Sequence, residues 1–160
     1  MPLTAGIIVV GGAAMGLIGR FGRLLVPVGL VLTAAGGGWL LATVHTSGTA
    51  IDGWTLGAAL FLIGAGMGAC FTTVFDLALG DIEPAEAGSA SGSLSAVQQL
   101  AAGIGSAVVT SIYLTTVASG GLAHALTTSL AIVTALTAGC LLLVPLLPAK
   151  APAENPEFAA

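Results

Sequence analysis

The stretch WTLGAALFLIGAGMGACFTTVFDLAL, residues 54–79, decides the fold. Asp76 is the only charged side chain among its 26 residues, and no proline interrupts it. A helix needs about 20 apolar residues to cross the hydrocarbon core of a bilayer. Because a helix also satisfies its own backbone hydrogen bonds, as lipid demands, this stretch predicts a membrane-spanning helix.

Similar apolar runs lie on both sides of this stretch. The chain therefore predicts an all-α transmembrane fold with about five membrane-spanning helices, in one helical domain over residues 1–147. The last residues, 148–160, are rich in Pro, Ala and Glu, and we expect them to form a disordered cytoplasmic tail. The predicted helices cover residues 3–18, 24–44, 54–79, 94–117 and 125–147.

Composition agrees with a lipid environment. Of the 160 residues 56% are hydrophobic and 6% are charged, and the mean hydropathy is +1.08. A soluble domain carries about 25% charged residues, so the bilayer is the expected partner of this surface. The net charge of −4 and the absence of a basic patch argue against nucleic-acid binding.

No sequence feature indicates catalysis or a bound cofactor. Cys70 and Cys140 lie inside apolar runs, where a free cysteine most often serves as a small packing residue. Their spacing fits no metal site, and no nucleophile–base pair or phosphate-binding loop is present. The sequence therefore predicts neither an enzyme nor a cofactor.

The few basic residues predict an orientation. Arg20 and Arg23 follow the first predicted helix, and Lys150 follows the fifth, so five crossings place all three on the same side. Basic residues favour the cytoplasmic side of a membrane protein. We therefore expect the N-terminus outside and the C-terminus in the cytoplasm.

Glycines at four-residue spacing predict close helix packing. Gly12 and Gly16 form one such pair in the first helix, and Gly64 and Gly68 form another in the third. Residues four apart share a helix face, and small side chains there let two backbones approach. Gly105 is a further packing candidate in the fourth helix.

Polar residues inside the predicted membrane spans are the candidate functional residues, because such groups are costly in lipid. Asp76 lies about 7 Å below the end of its helix at 1.5 Å per residue, and Thr72 and Thr73 precede it by one turn. Two interpretations stay open for Asp76. It is an interfacial carboxylate that reaches headgroup water or a neighbouring helix, or it is a proton-binding carboxylate in a cavity.

The fourth predicted helix carries a stripe of polar and small residues at three-to-four spacing. The stripe faces a wet cavity or packs against another helix, and the sequence leaves both open. Gln98 and Gln99 lie about 100° apart on this helix and cannot share one direction. The third and fourth predicted helices together supply the residues of a candidate proton or substrate pathway. These residues are Asp76, Gln98, Gln99, Thr72, Thr73 and Ser95. The stripe comprises Ser91, Ser95, Gln98, Gln99, Ala102, Ser106 and Thr110.

These residues resemble a known family. The run Gly64-Ala-Gly-Met-Gly68, the segment DIEPAEAGSASG (residues 81–92), the step Gln98-Gln99-Leu100 and then Gly105 resemble the late helices of major facilitator superfamily drug:proton antiporters, most of all their fourteen-helix subfamily. The segment LIGRFGR, residues 17–23, resembles the superfamily's cytoplasmic loop motif through Leu17, Arg20, Gly22 and Arg23. Met15 and Gly19 stand where that motif usually has its first glycine and its acid.

The resemblance implies the last five helices of such a transporter, and a function in proton-coupled multidrug efflux. It implies a bacterial-type cell membrane, with a small-molecule substrate and protons as ligands. A complete transporter has two helical halves around a central cavity, so we expect this chain to need N-terminal transporter helices or self-association. The alternatives are a non-transporting scaffold or partner subunit that associates through glycine-rich helix faces, and, more remotely, a membrane-embedded enzyme.

Overall fold

The computed structural model describes residues 1–21, 24–47, 52–80, 82–83 and 85–146. These residues form four α-helices and a final 3-10 helix, and no strand occurs among them. Gly22, Arg23 and the predicted tail over residues 148–160 lie outside the described residues. The helices are α1 (Pro2–Phe21), α2 (Leu25–Ser47), α3 (Gly53–Leu79) and α4 (Ala87–Cys140), and the 3-10 helix covers Leu141–Leu146.

Three helical stretches in the described chain are long and apolar enough to cross a membrane. They are Leu25–Thr46, Gly53–Leu79 and Ala87–Leu146, and the last of these is 60 residues long. The apolar part of α1, Pro2–Leu17, is shorter than a full span. An all-helical chain with such stretches has the properties of an integral membrane protein.

The 60-residue stretch is not straight, because α4 reverses at Gly121. The backbone there has φ 80° and ψ 174°, a conformation that only glycine adopts readily. Gln98 and Thr137 line the same cavity although they are 39 residues apart; in a straight helix they would be about 58 Å apart. The two arms of α4, the N-terminal arm (residues 87–120) and the C-terminal arm (residues 122–140), therefore fold back on each other. The interruption falls within the separator expected between residues 117 and 125.

Helix α3 packs against α1 in parallel through glycines. A Cβ atom on Gly64 would collide with the carbonyl oxygen of Leu3, and one on Gly68 would lie 2.6 Å from that of Ile7. From the other side, a Cβ on Gly6 would lie 2.8 Å from the backbone nitrogen of Ala65. The two backbones are thus in direct contact, which side chains larger than hydrogen would prevent.

The opposite face of α3 packs against α2, which runs antiparallel to it. Gly66 is two residues from Gly64, and therefore about 200° around the helix. A Cβ on Gly66 would collide with Gly29 and Thr33 of α2, and one on Gly36 would lie 2.9 Å from the carbonyl oxygen of Ala59. Alternate glycines of one short run thus bring α3 close to two different helices.

The C-terminal arm of α4 packs on the far side of α2. A Cβ on Gly37 would lie 2.7 Å from the hydroxyl oxygen of Thr134, and Ala125 and Val44 are buried, at 0% and 3% exposure. The spatial order is therefore α1, α3, α2, C-terminal arm. The N-terminal arm is different, because the side chains over residues 99–108 are exposed.

Helix ends differ from the predicted ones in several places. Helix α1 extends to Phe21, past the predicted end at residue 18, and so includes Arg20 of the predicted cytoplasmic loop motif, and α2 ends at Ser47 rather than at residue 44. The N-terminal arm begins at Ala87, before the predicted start at residue 94, and the amide of Ala87 donates to the carbonyl of Glu83 at 3.1 Å. The predicted start was set by the apolar run, whereas a helix can begin outside the bilayer. At the other end the α-helix stops at Cys140 and tightens into the 3-10 helix, which contains Pro145, a residue with no amide proton to donate.

Candidate functional site

Asp76 lies in the last turn of α3, and its backbone carbonyl accepts the amide of Gly80 at 2.9 Å, which closes the helix. Its side chain is exposed and lines an open cleft of about 670 Å³ between α3 and α1. Among the described residues that line the cleft, Asp76 is the one with an ionisable side chain. The cleft is lined by Met15, Phe71, Thr72, Phe75, Asp76, Leu79 and Gly80.

Thr72 shares this cleft with Asp76 because it lies one helical turn earlier on the same face. Its hydroxyl donates to the carbonyl of Gly68 at 2.9 Å, and it lies 3.5 Å from the carbonyl oxygen of Gly11 on α1. Since its proton is used by the backbone, the Thr72 oxygen offers the cleft a hydrogen-bond acceptor. The site thus combines a carboxylate and a hydroxyl oxygen with aromatic and aliphatic walls.

This arrangement can hold a proton or a cation. An ionised carboxylate accepts hydrogen bonds and attracts positive charge, and a protonated one donates a single hydrogen bond. Phe71, Phe75 and Leu79 belong to the apolar part of the wall around the carboxylate. Among the described residues, no group of three or more His, Cys, Asp or Glu side chains is placed to hold a metal ion.

Thr73 does not line the cleft. It is fully buried, at 0% exposure, and its hydroxyl donates to the carbonyl of Ala69 at 2.8 Å. The reason is geometric, since consecutive helical residues point about 100° apart. Thr72 therefore lies in the cleft, whereas Thr73 lies inside the helix bundle.

Gln98 lines a second, smaller cavity of about 280 Å³. Gln99 and Ser95 are exposed on the N-terminal arm and line neither of these two cavities. The residues predicted as one pathway are therefore divided between four places: the Asp76 cleft, the bundle interior at Thr73, the Gln98 cavity and the outer surface of α4. Phe71 borders both cavities, so its ring forms the wall between them.

Sequence reasoning did not identify Phe71 or Met15, because it searched the apolar runs for polar residues. An aromatic side chain in a membrane helix carries no signal by itself.

The glycine candidates fall into two groups. Gly64 and Gly68 are occupied by α1 within the chain, as described above, so this face is closed to the self-association expected of it. In the described part of the chain, no atom lies within 4 Å of a Cβ placed on Gly12, Gly16 or Gly105. Equal spacing in the sequence thus corresponds to a packed face in α3 and an open face in α1. Arg20 lies in the last turn of α1.

Comparison with known proteins gives one informative similarity. Over 102 residues, 64% of this chain, the sequence is 38% identical to a probable actinorhodin transporter of Streptomyces coelicolor. The matched region spans 17% of the length of that protein. No protein-family model matches the sequence, and no solved structure matches it either.

Proposed function

We propose that this chain is part of a secondary active transporter that exports small molecules against proton influx. The observation that carries the proposal is the 38% identity over 102 residues to a probable actinorhodin transporter. The apolar helices support the same conclusion, because they require a bilayer. The finer assignment is the fourteen-helix drug:proton antiporter subfamily of the major facilitator superfamily, in a bacterial-type cell membrane.

Asp76 is the proposed proton-binding group, with Thr72 beside it in the same cleft. Protonation would change the stability of inward-facing relative to outward-facing states, because the neutral acid tolerates an apolar surrounding better than the carboxylate does. Gln98, Gln99 and Ser95 would line the substrate pathway only if neighbouring helices close over the N-terminal arm. The Arg20, Gly22 and Arg23 motif is proposed to lie at the cytoplasmic surface.

The proposed transporter uses helices beyond those of this chain. One face of the N-terminal arm carries small and polar residues, all of them exposed, and we call this face the polar stripe. A polar group left unpaired in an apolar medium costs about 1–3 kcal/mol, so partner helices with hydrogen-bonding or small residues would stabilise the arm. The polar stripe shares four residues with the stripe predicted from the sequence but is not identical to it. It comprises Gly88, Gly92, Ser95, Gln99, Gly103, Ser106 and Thr110.

A non-transporting scaffold is the second candidate. It is favoured by the open face of α1, where a Cβ placed on Gly12 or Gly16 would meet no described atom within 4 Å. Two copies could pack there as small-residue faces do in membranes. This candidate predicts association without gradient-dependent flux.

Reconstitution separates the two candidates. The 160-residue chain alone in liposomes should show no dye movement driven by a proton gradient. A chimera in which this chain replaces the corresponding region of the Streptomyces coelicolor transporter, including the flanks of the aligned segment, should export in proportion to the gradient. A chimera that inserts but is inactive, beside an active parent protein, would favour the scaffold. Strong gradient-driven flux from the chain alone would refute the need for further helices.

A further inference from the structure

The smaller cavity lies where α2, α3 and both arms of α4 meet. Its volume of about 280 Å³ is close to the lower end of small-molecule pockets, which begin at about 300 Å³. A ligand of one or two fused rings has a suitable size. The lining residues are Leu30, Thr33, Met67, Cys70, Phe71, Val74, Gln98 and Thr137.

Gln98 is the polar side chain of this cavity with unused hydrogen-bonding capacity. It is half-buried, and its carboxamide has no hydrogen-bond partner in the described part of the chain. In contrast, the hydroxyls of Thr33 and Thr137 donate to carbonyls of their own helices, each at 2.9 Å. The Cys70 thiol lies 3.5 Å from the carbonyl oxygen of Val26 and donates to it. Gln98 therefore offers both a donor and an acceptor, and the threonines offer acceptors only.

The remaining wall is apolar and polarisable. Met67 provides a thioether, and Phe71 provides a ring, both of which interact favourably with an aromatic ligand. None of the eight lining residues carries a carboxylate, an amine or a guanidinium. A charged ligand would lose its hydration without gaining a partner charge, so this wall favours a neutral molecule.

We propose that this cavity binds a small neutral aromatic alcohol, whose hydroxyl group hydrogen-bonds to the Gln98 carboxamide while its ring packs between Met67 and Phe71. The proposal does not depend on transport. It needs no gradient, no Asp76 and no partner helix, because every residue that it uses belongs to this chain.

Three probes of similar shape test the proposal on the purified 160-residue chain in nanodiscs. They are 1-naphthol, naphthalene, which lacks the hydroxyl, and 1-naphthoate, which is charged. Binding is measured after subtraction of the uptake by empty nanodiscs. One neutral hydrogen bond corresponds to about 3- to 10-fold in affinity, so 1-naphthol should bind tighter than naphthalene by that factor, and 1-naphthoate should not bind. Equal affinities for 1-naphthol and naphthalene would overturn the proposal.

Two polar residues of the same arm provide a pair of variants. Gln98→Leu should lower the 1-naphthol affinity to that of naphthalene, whereas Ser93→Leu, about 140° away on the helix and outside the cavity, should leave it unchanged. Equal effects of the two substitutions would exclude a specific role for Gln98. If Gln98→Leu does not yield monodisperse protein, Val74→Phe provides the second test of the cavity. Its larger side chain should fill the cavity and remove binding of both 1-naphthol and naphthalene. Retained 1-naphthol binding in Val74→Phe would overturn the proposal.

A chemical readout locates the ligand. In a Cys140→Ala background, Cys70 is the remaining cysteine, and it lines the cavity. Bound 1-naphthol should slow alkylation of Cys70 by N-ethylmaleimide, and 1-naphthoate should not. An unchanged alkylation rate at saturating 1-naphthol would place the ligand elsewhere and refute this site.

Discussion

Asp76 differs from the other described acids because it lies inside a helix, in the last turn of α3, whereas they lie before a helix begins. Asp52 caps the N-terminus of α3, where its carboxylate accepts the amide of Trp54 at 3.2 Å. Glu83 and Glu86 belong to the turn before α4. The Asp76 carboxylate has no hydrogen-bond partner among the described residues.

Asp76→Asn tests the role of this carboxylate in the active chimera. Asparagine keeps the size and polarity of the side chain but cannot release a proton, so protein levels should persist while export loses its dependence on the proton gradient. Export is measured over a range of external pH at constant membrane potential. Asp52→Asn is the matched control, because asparagine also caps a helix, and it should leave export unchanged.

Two other outcomes have distinct meanings for Asp76. Export that keeps its pH dependence in Asp76→Asn would return the residue to the interpretation of an interfacial carboxylate. Reduced protein levels would indicate a structural partner on a neighbouring helix.

At the scale of the element, α3 contacts α1 and α2 through glycines on two of its faces. A single Gly→Ala substitution on either face should therefore disturb its packing. Gly68→Ala would bring a methyl carbon within 2.6 Å of the Ile7 carbonyl oxygen, and backbone atoms cannot move aside easily. Overpacking of this kind costs about 1–3 kcal/mol. We expect the unfolding midpoint in detergent micelles to fall, as measured by circular dichroism.

Gly103→Ala controls for helix propensity. No atom of the described residues lies within 4 Å of a Cβ at this position, and alanine favours a helix over glycine by about 1 kcal/mol. Gly103→Ala should therefore leave stability equal or slightly higher. Similar losses in both variants would mean that flexibility, rather than contact with α1, explains the effect at Gly68.

The sequence was sufficient to predict which segments form apolar helices, but not which helices pack against one another. The glycine run of residues 64–68 predicted close packing, yet its spacing is the same as that of Gly12 and Gly16, whose face is open. Small residues at four-residue spacing indicate a helix face on which another helix can pack closely, but they do not indicate which helix packs there. The division of Thr72 and Thr73 between cleft and interior also depended on how α3 is rotated against α1, which only the assembled helices determine.

For the whole molecule, the parallel packing of α1 and α3 means that both helices cross the membrane in the same direction. Helix α2, which connects them in the sequence, must therefore cross in the opposite direction. With the basic residues in the cytoplasm, the end of α2 and the start of α3 would face outside, where Trp54 is 88% exposed. An exposed tryptophan at a helix start is typical of a membrane interface. The proposed orientation therefore has the N-terminus outside.

Cysteine labelling in intact cells tests this orientation. In a background with Cys70 and Cys140 replaced, a membrane-impermeant thiol reagent should label Ser47→Cys without permeabilisation. Glu83→Cys, in the turn before α4, is the opposite-side control and should be labelled only after permeabilisation. The reverse pattern would invert the topology.

The reversal at Gly121 has a consequence for biosynthesis. Because one residue links the two arms, the ribosome delivers them to the translocon as a single helical hairpin. The first arm carries Ser95, Gln99, Ser106 and Thr110 of the polar stripe, which weaken its own partitioning into lipid. The second arm, which is rich in Ala, Leu and Thr and contains no glutamine, follows immediately. Integration of the pair should therefore be decided by their summed transfer energies, and a chain stalled before the second arm emerges should leave the first arm outside the bilayer.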